Sequence, residues 1–339
     1  MIADFIFAKA KLRYWLDDLR LSQEVWAPTG KEGSLHFTRN PLGEEVITEY
    51  TNTKESPKAI FFPPREEIFS YDILPDKVEI TPKPPDTTPR VIFGMRPPDV
   101  RGLEIMDAYW MGDVTDERYK ARRENSAIIC VGYHNPPPCC FAESVGVDLF
   151  PEEGVDMLLT DLGRTYYVQV LTERGMALIT DQFNPAESDH REDARKAKAG
   201  VRGSTDQSLE LERWEEFSDA EILALPYWDE VYLGMIPSAA ISRYFYSGTQ
   251  FRFIDVPKGH QGTRYRVWTH PHAPGYSRLP DGDDYRPGMK ERIRDWLLEM
   301  FLYFPKRHGF LGCSGAHRCV AAMPTKHDVR KIIQGVDFG

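Results

Sequence analysis

Two cysteines near the carboxyl-terminal end of the chain carry the clearest chemical signal. Cys313 and Cys319 lie in the segment 311–324, which reads LGCSGAHRCVAAMP. Runs of the form C-x2-C-x2-C-x3-C-P hold an iron–sulfur cubane, because closely spaced thiolates wrap one cluster and the proline follows the last ligand. On that spacing the two cysteines take the first and third ligand positions, whereas Ala316 and Met323 take the second and fourth. The segment has the frame of a cubane site with half of its thiolates.

The same spacing can be laid over an upstream segment that ends in Ile-Pro. In two-cluster runs the fourth cysteine of each run binds the other cluster, so a partner run is expected. None of its four positions here is a cysteine, and most are apolar, as expected if side chains filled the room of a lost cluster. These positions are Pro226, Asp229, Tyr232 and Ile236.

Length and charge exclude several classes of protein. The chain has 339 residues and a formal charge of −10, with 28% charged residues. This length suits about two domains, and the negative charge argues against a nucleic-acid surface. The first residues lack the basic region and apolar core of a signal peptide, and no apolar run is long enough to span a membrane. The sequence therefore predicts a cytoplasmic protein without a membrane span.

Cysteine usage limits the metal chemistry. The chain has five cysteines without the spacing of a disulfide framework, which suits a reducing compartment. Each cubane takes four thiolates, so five cysteines cannot hold two cubanes by ordinary ligation. The cysteines are Cys130, Cys139, Cys140, Cys313 and Cys319.

Apolar patterns predict an α/β layer in the first half of the chain. Short apolar runs over 90–94 and 126–132 predict buried strands, and the run 165–170 is rich in strand-forming residues. Helices are predicted over 103–110 and 154–162. Strand, helix and strand in this order are typical of a layered α/β fold. Amphipathic spacing adds one helix near each end of the chain, over 4–20 and 287–304.

Six segments together resemble a known family. They occur in family order over almost the whole chain, and they resemble the iron–sulfur beta-subunit family of cytoplasmic sulfhydrogenases and of the anaerobic sulfite reductase A subunit. The resemblance implies an electron conduit, whose ferredoxin-like carboxyl-terminal part passes electrons between a flavin subunit and a catalytic subunit. The segments are 61–69, 91–103, 119–125, 140–146, 157–163 and 290–324.

The resemblance also implies a domain plan. Residues 1–184 are expected to form a mixed α/β domain of this family, and 185–208 a polar linker or excursion. Residues 209–339 are expected to form a mainly helical, degenerate two-cluster ferredoxin-like domain. The fold class is therefore predicted as α+β or α/β.

The chain departs from the family at most ligand positions. Relatives carry further cysteines at the positions of Pro98, His134, Cys140 and Ala142, and only one of these is a cysteine here. The first interpretation is therefore a non-catalytic scaffold subunit of a redox complex that has no cofactor of its own. Its predicted partners are flavin-containing and iron–sulfur-containing chains.

A second interpretation keeps a metal. The chain would be an electron-transfer subunit with one atypical iron–sulfur cluster or metal ion at Cys313 and Cys319. A zinc ion could be completed by His317 and His327, although the spacing matches no usual zinc pattern.

A third interpretation places an enzyme subunit or a binder of a small molecule or flavin in the α/β domain. It predicts a cavity around Arg96, Asp99, Arg122 and Glu124, whereas the alternative is that these charges form structural ion pairs. The sequence has no glycine-rich nucleotide fingerprint to support it.

Overall fold

Two β-sheets form the framework of the part of the chain that the structure describes. The structure is a computed structural model, and it describes residues 1–31, 33–137, 140–206, 209, 250–269, 273, 275–279 and 281–318. The strands are β1 (Ala3–Ala8), β2 (Glu24–Thr29), β3 (His36–Arg39), β4 (Arg65–Ile73), β5 (Val78–Pro82), β6 (Arg90–Met95), β7 (Ser126–Val131), β8 (Met157–Asp161), β9 (Thr165–Val170), β10 (Phe183–Pro185), β11 (Gln250–Lys258) and β12 (Gln261–Thr269).

The helices in the described ranges are short, and none of them is long and apolar enough to cross a lipid bilayer. Near the carboxyl-terminal end of the described ranges, a π-helix over Glu299–Tyr303 joins the helix Met289–Leu298 to the helix Phe304–His308. Pro305 therefore lies in the first turn of this last helix. The helix predicted over 287–304 is thus confirmed, but helical residues continue past Pro305 to His308. The helices are α1 (Leu12–Leu19), α2 (Lys58–Phe61), α3 (Pro97–Trp110), α4 (Glu117–Glu124), α5 (Glu173–Met176), α6 (Ser188–Ala199), α7 (Met289–Leu298) and α8 (Phe304–His308).

The first sheet has the strand order β10-β1-β9-β8-β7-β6-β2-β3. Its strands β2, β6, β7 and β8 run parallel, and the others are antiparallel to their neighbours. Alternate residues of a parallel strand are buried against opposite faces: in β7, Ile128 and Cys130 join one core, and Ala127 and Ile129 join the other. Burial on both faces explains why these strands are continuous apolar runs.

Several predictions for this sheet are confirmed. The strands predicted over 90–94, 126–132 and 165–170 are β6, β7 and β9, and the helix predicted over 103–110 is part of α3. The predicted mixed α/β fold is therefore confirmed for the described residues.

Two predicted helices are wrong. Residues 154–162 contain the strand β8, because a short apolar run that is buried on both faces cannot be distinguished from a buried helix by its pattern. Residues 4–20 begin as β1, which pairs with β9 and β10, and only Leu12–Leu19 form an α-helix. Pairing with distant strands has overridden the local helical spacing.

The second sheet is antiparallel, with the order β11-β12-β4-β5. Strand β12 pairs with β4, so residues near the carboxyl-terminal end bond to residues from the first quarter of the chain. The prediction of a mainly helical part over 209–339 is not confirmed, because the described residues there include the long hairpin of β11 and β12. The division into domains at 185–208 stays a prediction; α6 lies inside that segment, with Ala194 buried.

A buried carboxylate joins the second sheet to helix α4. Glu66 of β4 accepts hydrogen bonds from Arg122 of α4, at 2.5 Å, and from Arg266 of β12. Arg266 also pairs with Asp116, the residue that caps α4. Side-chain exposure of Glu66 and both arginines is below a tenth, so these charge-assisted bonds are shielded from water.

We expect Glu66→Gln to lower the free energy of unfolding by about 3–5 kcal/mol, because two buried guanidinium groups would lose their shared anion. Urea denaturation measures the difference. The control is Glu79→Gln, which breaks the ion pair between Glu79 and Lys77. Both of these side chains are more than half exposed, so the free energy of unfolding should change little. Similar losses in the two variants would contradict this account.

Candidate functional site

Two cysteine-containing segments from distant parts of the chain meet at Gly315. The Sγ of Cys140 lies 3.6 Å from the carbonyl oxygen of Gly315, and the Gly315 amide donates to the Sγ of Cys313 at 3.5 Å. The amide of Phe141 donates to the same carbonyl oxygen at 3.3 Å. Two thiols predicted to belong to separate ligand sets therefore contact the backbone of one residue.

This contact requires glycine. The φ of Gly315 is +64°, and a Cβ atom on it would lie 2.6 Å from the Cα of Ala142, closer than any packed pair allows. The two loops consequently pack backbone against backbone. The structure thus brings together four of the predicted ligand positions, Cys140, Ala142, Cys313 and Ala316.

A buried ion pair holds the second loop in place. Arg318 donates two hydrogen bonds to the carboxylate of Asp99, one of them at 3.0 Å, and its Nε donates to the Thr53 carbonyl oxygen at 2.9 Å. Asp99 lies in the first turn of α3, and the pair has exposures of only 1% and 5%. Bidentate pairing fixes orientation as well as distance, so the loop is held against α3.

The cysteines in the described residues are free thiols. Cys130, Cys140 and Cys313 are buried, and burial raises the pKa of Cys313 to about 11 despite the hydrogen bond from Gly315. Burial also raises the pKa of Cys130, which lies within β7. Thiols in such surroundings are protonated unless a bound cation favours the thiolate. The thiol of Cys313 is therefore protonated at neutral pH and is not a ready nucleophile.

The remaining amino-terminal positions lie nearby but do not join the cysteine contact. Pro98 is in the first turn of α3, next to Asp99. His134 is half-buried, and its Nε2 accepts a hydrogen bond from the Asp161 amide at 2.9 Å. His317 lies in the loop itself with a φ of 59°, an uncommon conformation for a residue with a Cβ atom.

Part of the prediction falls outside the described residues. The described ranges contain no group of three or more histidine, cysteine or acidic side chains arranged to hold a metal ion. Of the zinc set, the described ranges include Cys313 and His317. The positions outside those ranges are Cys139, Pro226, Asp229, Tyr232, Ile236, Cys319, Met323 and His327.

The four charged residues predicted to share a cavity do not line a common one among the cavities formed by the described residues. Asp99 pairs with Arg318, and Arg122 pairs with Glu66. Glu124 is the last residue of α4. Arg96 alone lines a cavity, and that cavity is a separate feature.

The cavity has a volume of about 710 Å³ and lies at the carboxyl ends of β2, β6, β7 and β8. Its lining includes Tyr133, His134 and Asn52, and the side-chain amide of Asn52 donates to the Ala316 carbonyl oxygen at 3.1 Å. The cavity therefore shares a wall residue with the cysteine loop. Sequence reasoning missed Tyr133 and Asn52, although Tyr133 could have been found as a polar residue just beyond a predicted parallel strand.

Comparison with known proteins finds a family match in the carboxyl-terminal part of the chain. Residues 247–327 match a family described as a 4Fe-4S dicluster domain. The matched region contains the hairpin of β11 and β12, the helices α7 and α8, and the loop with Cys313.

The particular relative agrees with this class. Over 334 residues the chain is 25% identical to sulfhydrogenase 2 subunit beta of Pyrococcus furiosus, with 93% of this chain and 92% of that protein covered. No solved structure matches the chain significantly. The predicted resemblance to the iron–sulfur beta-subunit family is confirmed.

The predicted absence of a cofactor is wrong. The dicluster family and the sulfhydrogenase relative both point to iron–sulfur cofactors. The prediction failed because it took the shortage of thiolates, in each run and in the whole chain, as the loss of every cluster. The fold brings Cys140 of one set against the loop that carries Cys313 of another.

We expect Asp99→Asn to free the loop that carries Cys313, because Arg318 would become a buried cation without its anion. In protein stripped of metal by a chelator, the alkylation rate of Cys313 should rise about tenfold or more. Mass spectrometry of the labelled peptides measures this rate. The alkylation rate of Cys130 in β7 is the internal control and should not change; equal increases at both thiols would indicate global unfolding and contradict a local role.

Stability should also depend on His134 at mildly acidic pH. Burial lowers the pKa of His134 from 6.5, and its Nε2 must stay unprotonated to accept from the Asp161 amide. Because the unfolded chain then binds the proton more tightly, the free energy of unfolding should fall as the pH drops below 6.5. In His134→Gln this fall should be smaller. Identical pH profiles in urea denaturation would show that His134 does not contribute.

Proposed function

We propose that the chain is an iron–sulfur electron-transfer subunit of a hydrogenase-related oxidoreductase complex, with one cubane held where the segments 139–142 and 313–319 meet. The observation that carries the proposal is that Cys140 and Cys313 contact the same residue, Gly315. The match of residues 247–327 to a 4Fe-4S dicluster domain supports it independently.

The donor set fits one cubane. Cys139 is bonded to Cys140 in the chain, and Cys319 follows Arg318, whose side chain is anchored to Asp99. Four of the five cysteines therefore belong to two segments whose described residues touch, and four thiolates are what a cubane takes. The cysteines cannot supply a second set, so the proposed site holds a single cluster with ligands from both halves of the chain.

The residues around the proposed site suit electron transfer. A bound cubane accepts and releases one electron, at a potential set by hydrogen bonds to its sulfurs and by solvent exposure. The Gly315 amide already donates to Cys313, and Cys140 and Cys313 are both buried. The paired charges of Asp99 and Arg318 contribute no net charge beside the loop. The hydrogen bond to sulfur would raise the reduction potential of a bound cluster, whereas burial, which disfavours the more negatively charged reduced form, would lower it.

The relative suggests the surroundings in which the protein works. That protein is by its name a subunit of a sulfhydrogenase, and the two chains align over nearly their whole lengths. We therefore propose that other subunits of a redox complex are the partners of this chain, among them one that carries flavin. Net negative charge disfavours nucleic acid as a partner, and a cytoplasmic location stays a prediction.

Metal analysis tests the proposal. We expect the anaerobically purified protein to contain about four iron atoms and a matching amount of acid-labile sulfide per chain. The variants Cys140→Ala and Cys313→Ala should each lose most of this iron and the visible absorbance of the cluster. The matched control is Cys130→Ala, which removes a buried thiol within β7 and should retain both.

Two outcomes would contradict the proposal. Protein that contains no iron, even after anaerobic reconstitution with iron and sulfide, would exclude a cluster. Iron that survives in Cys140→Ala but not in Cys313→Ala would exclude a set shared between the two segments.

A further inference from the structure

The cavity at the carboxyl ends of the parallel strands has the position and size of a ligand site. Its lining includes Gly30 after β2, Arg96 after β6, Tyr133 after β7 and Asp161 at the end of β8. Ligands of open α/β sheets bind outside the carboxyl ends of the strands. A volume of about 710 Å³ lies in the range of small-molecule sites.

Two hydrogen-bond donors in the lining are buried and have no partner in the part of the chain that the structure describes. They are the Oη of Tyr133, a residue with an exposure of 1%, and the Nε of Arg96, a residue with an exposure of 5%. Buried donors normally have partners, since an unmet donor costs about 1–3 kcal/mol. A ligand that accepts from both groups would remove this cost.

The charge of Arg96 selects the kind of acceptor. Its other guanidinium nitrogens donate to backbone carbonyl oxygens, and the ring of Tyr50 lies 4.1 Å from its central carbon. No carboxylate of the described residues lies within salt-bridge distance of it. Buried charges are usually paired, so a bound anion is the expected counter-ion.

Most other titratable side chains of the lining already have hydrogen-bond partners in the protein. Asp161 accepts from Lys9 at 2.5 Å through one oxygen and from the Gly163 amide at 2.8 Å through the other. His134 accepts from the Asp161 amide through Nε2, so its proton is on Nδ1, which makes it a further donor. Glu49 is the remaining lining carboxylate, and Arg96 is much more deeply buried than it is.

The start of α3 disfavours phosphate as the anion. Phosphate sites in α/β folds use the free amides of a helix N-terminus, but α3 begins with Pro97 and Pro98, which have no amide hydrogen. Recognition of the anion is therefore left to side-chain donors, and a planar carboxylate group needs fewer of these than a phosphate group, which has more oxygen atoms.

We infer that this cavity binds a small organic carboxylate, with Arg96 and Tyr133 as its donors. The unpartnered Oδ1 of Asn52 accepts a hydrogen bond from a hydroxyl group on the same molecule. The ligand is thus a small hydroxycarboxylate. Only Asn52 separates it from the loop of Cys313, because the side-chain amide of Asn52 also donates to the Ala316 carbonyl oxygen. This inference goes beyond the proposed electron-transfer function and does not depend on the cluster.

Calorimetric titration with malate tests the inference on the full chain. We expect malate to bind the wild-type protein at millimolar concentration or below, and succinate, which lacks the hydroxyl group, to bind more weakly. Tyr133→Phe should weaken malate binding about tenfold, since a hydrogen bond to a charged group is lost. The fold should survive, because the hydroxyl group that is removed has no partner in the protein.

The control variant is Tyr119→Phe. It also removes a fully buried tyrosine hydroxyl, which donates to Asp107 outside the cavity, and it should leave malate binding unchanged. Absence of malate binding, or binding that Tyr133→Phe does not weaken, overturns the inference. Binding of inorganic phosphate in place of malate overturns the assignment to a carboxylate. Cluster content is measured separately by iron analysis, so either proposal can fail alone.

Discussion

The buried ion pair between Asp99 and Arg318 is the constraint on which the arrangement of the molecule depends. It joins the first turn of α3 to the loop that carries Cys313, across 219 positions of sequence. Both charges are almost fully removed from water, so each is tolerated only because the other is present. With this pair in place, Gly315 reaches the backbone of Ala142, and two thiols from different halves of the chain contact one residue.

The same loop connects two features that differ in chemistry. On one side, Cys140 and Cys313 would provide the soft sulfur ligands that iron–sulfur clusters require. On the other, Asn52 contacts Ala316 and lines a polar cavity that has unpartnered donors. A redox centre and a carboxylate site would therefore be separated by little more than one side chain. Such proximity lets the charge state of one centre influence the other through a medium of low dielectric constant.

Sequence patterns predicted the strands and helices whose buried residues form a regular pattern within a short stretch of sequence. The strands β6, β7 and β9 and the helix α3 were predicted correctly, because the spacing of their apolar residues shows which faces are buried. Strand β8 was taken for a helix because burial on both faces removes the alternation that distinguishes a strand. The pairing of β12 with β4 was missed because the two strands lie far apart in the sequence.

The candidate site was predicted in part for the same reason. Spacing identified Cys313 and Ala316 as members of one run, and the family resemblance added Cys140 and Ala142. Neither could show that the two sets meet, because that contact depends on the φ of Gly315 and on a long-range ion pair. The missing thiolates in each run consequently predicted a protein without a cofactor, whereas the match to a 4Fe-4S dicluster domain points to iron–sulfur chemistry.

The distance in sequence between Cys140 and Gly315, 175 positions, has a consequence for biogenesis. A ribosome must have released nearly the whole chain before the two thiol segments can meet, so iron delivery would be a post-translational step. The metal centre would then act as a late cross-link that closes a very long loop. Closure of long loops removes much conformational entropy from the unfolded chain, so a bound cluster would slow unfolding and protect the protein from proteolysis.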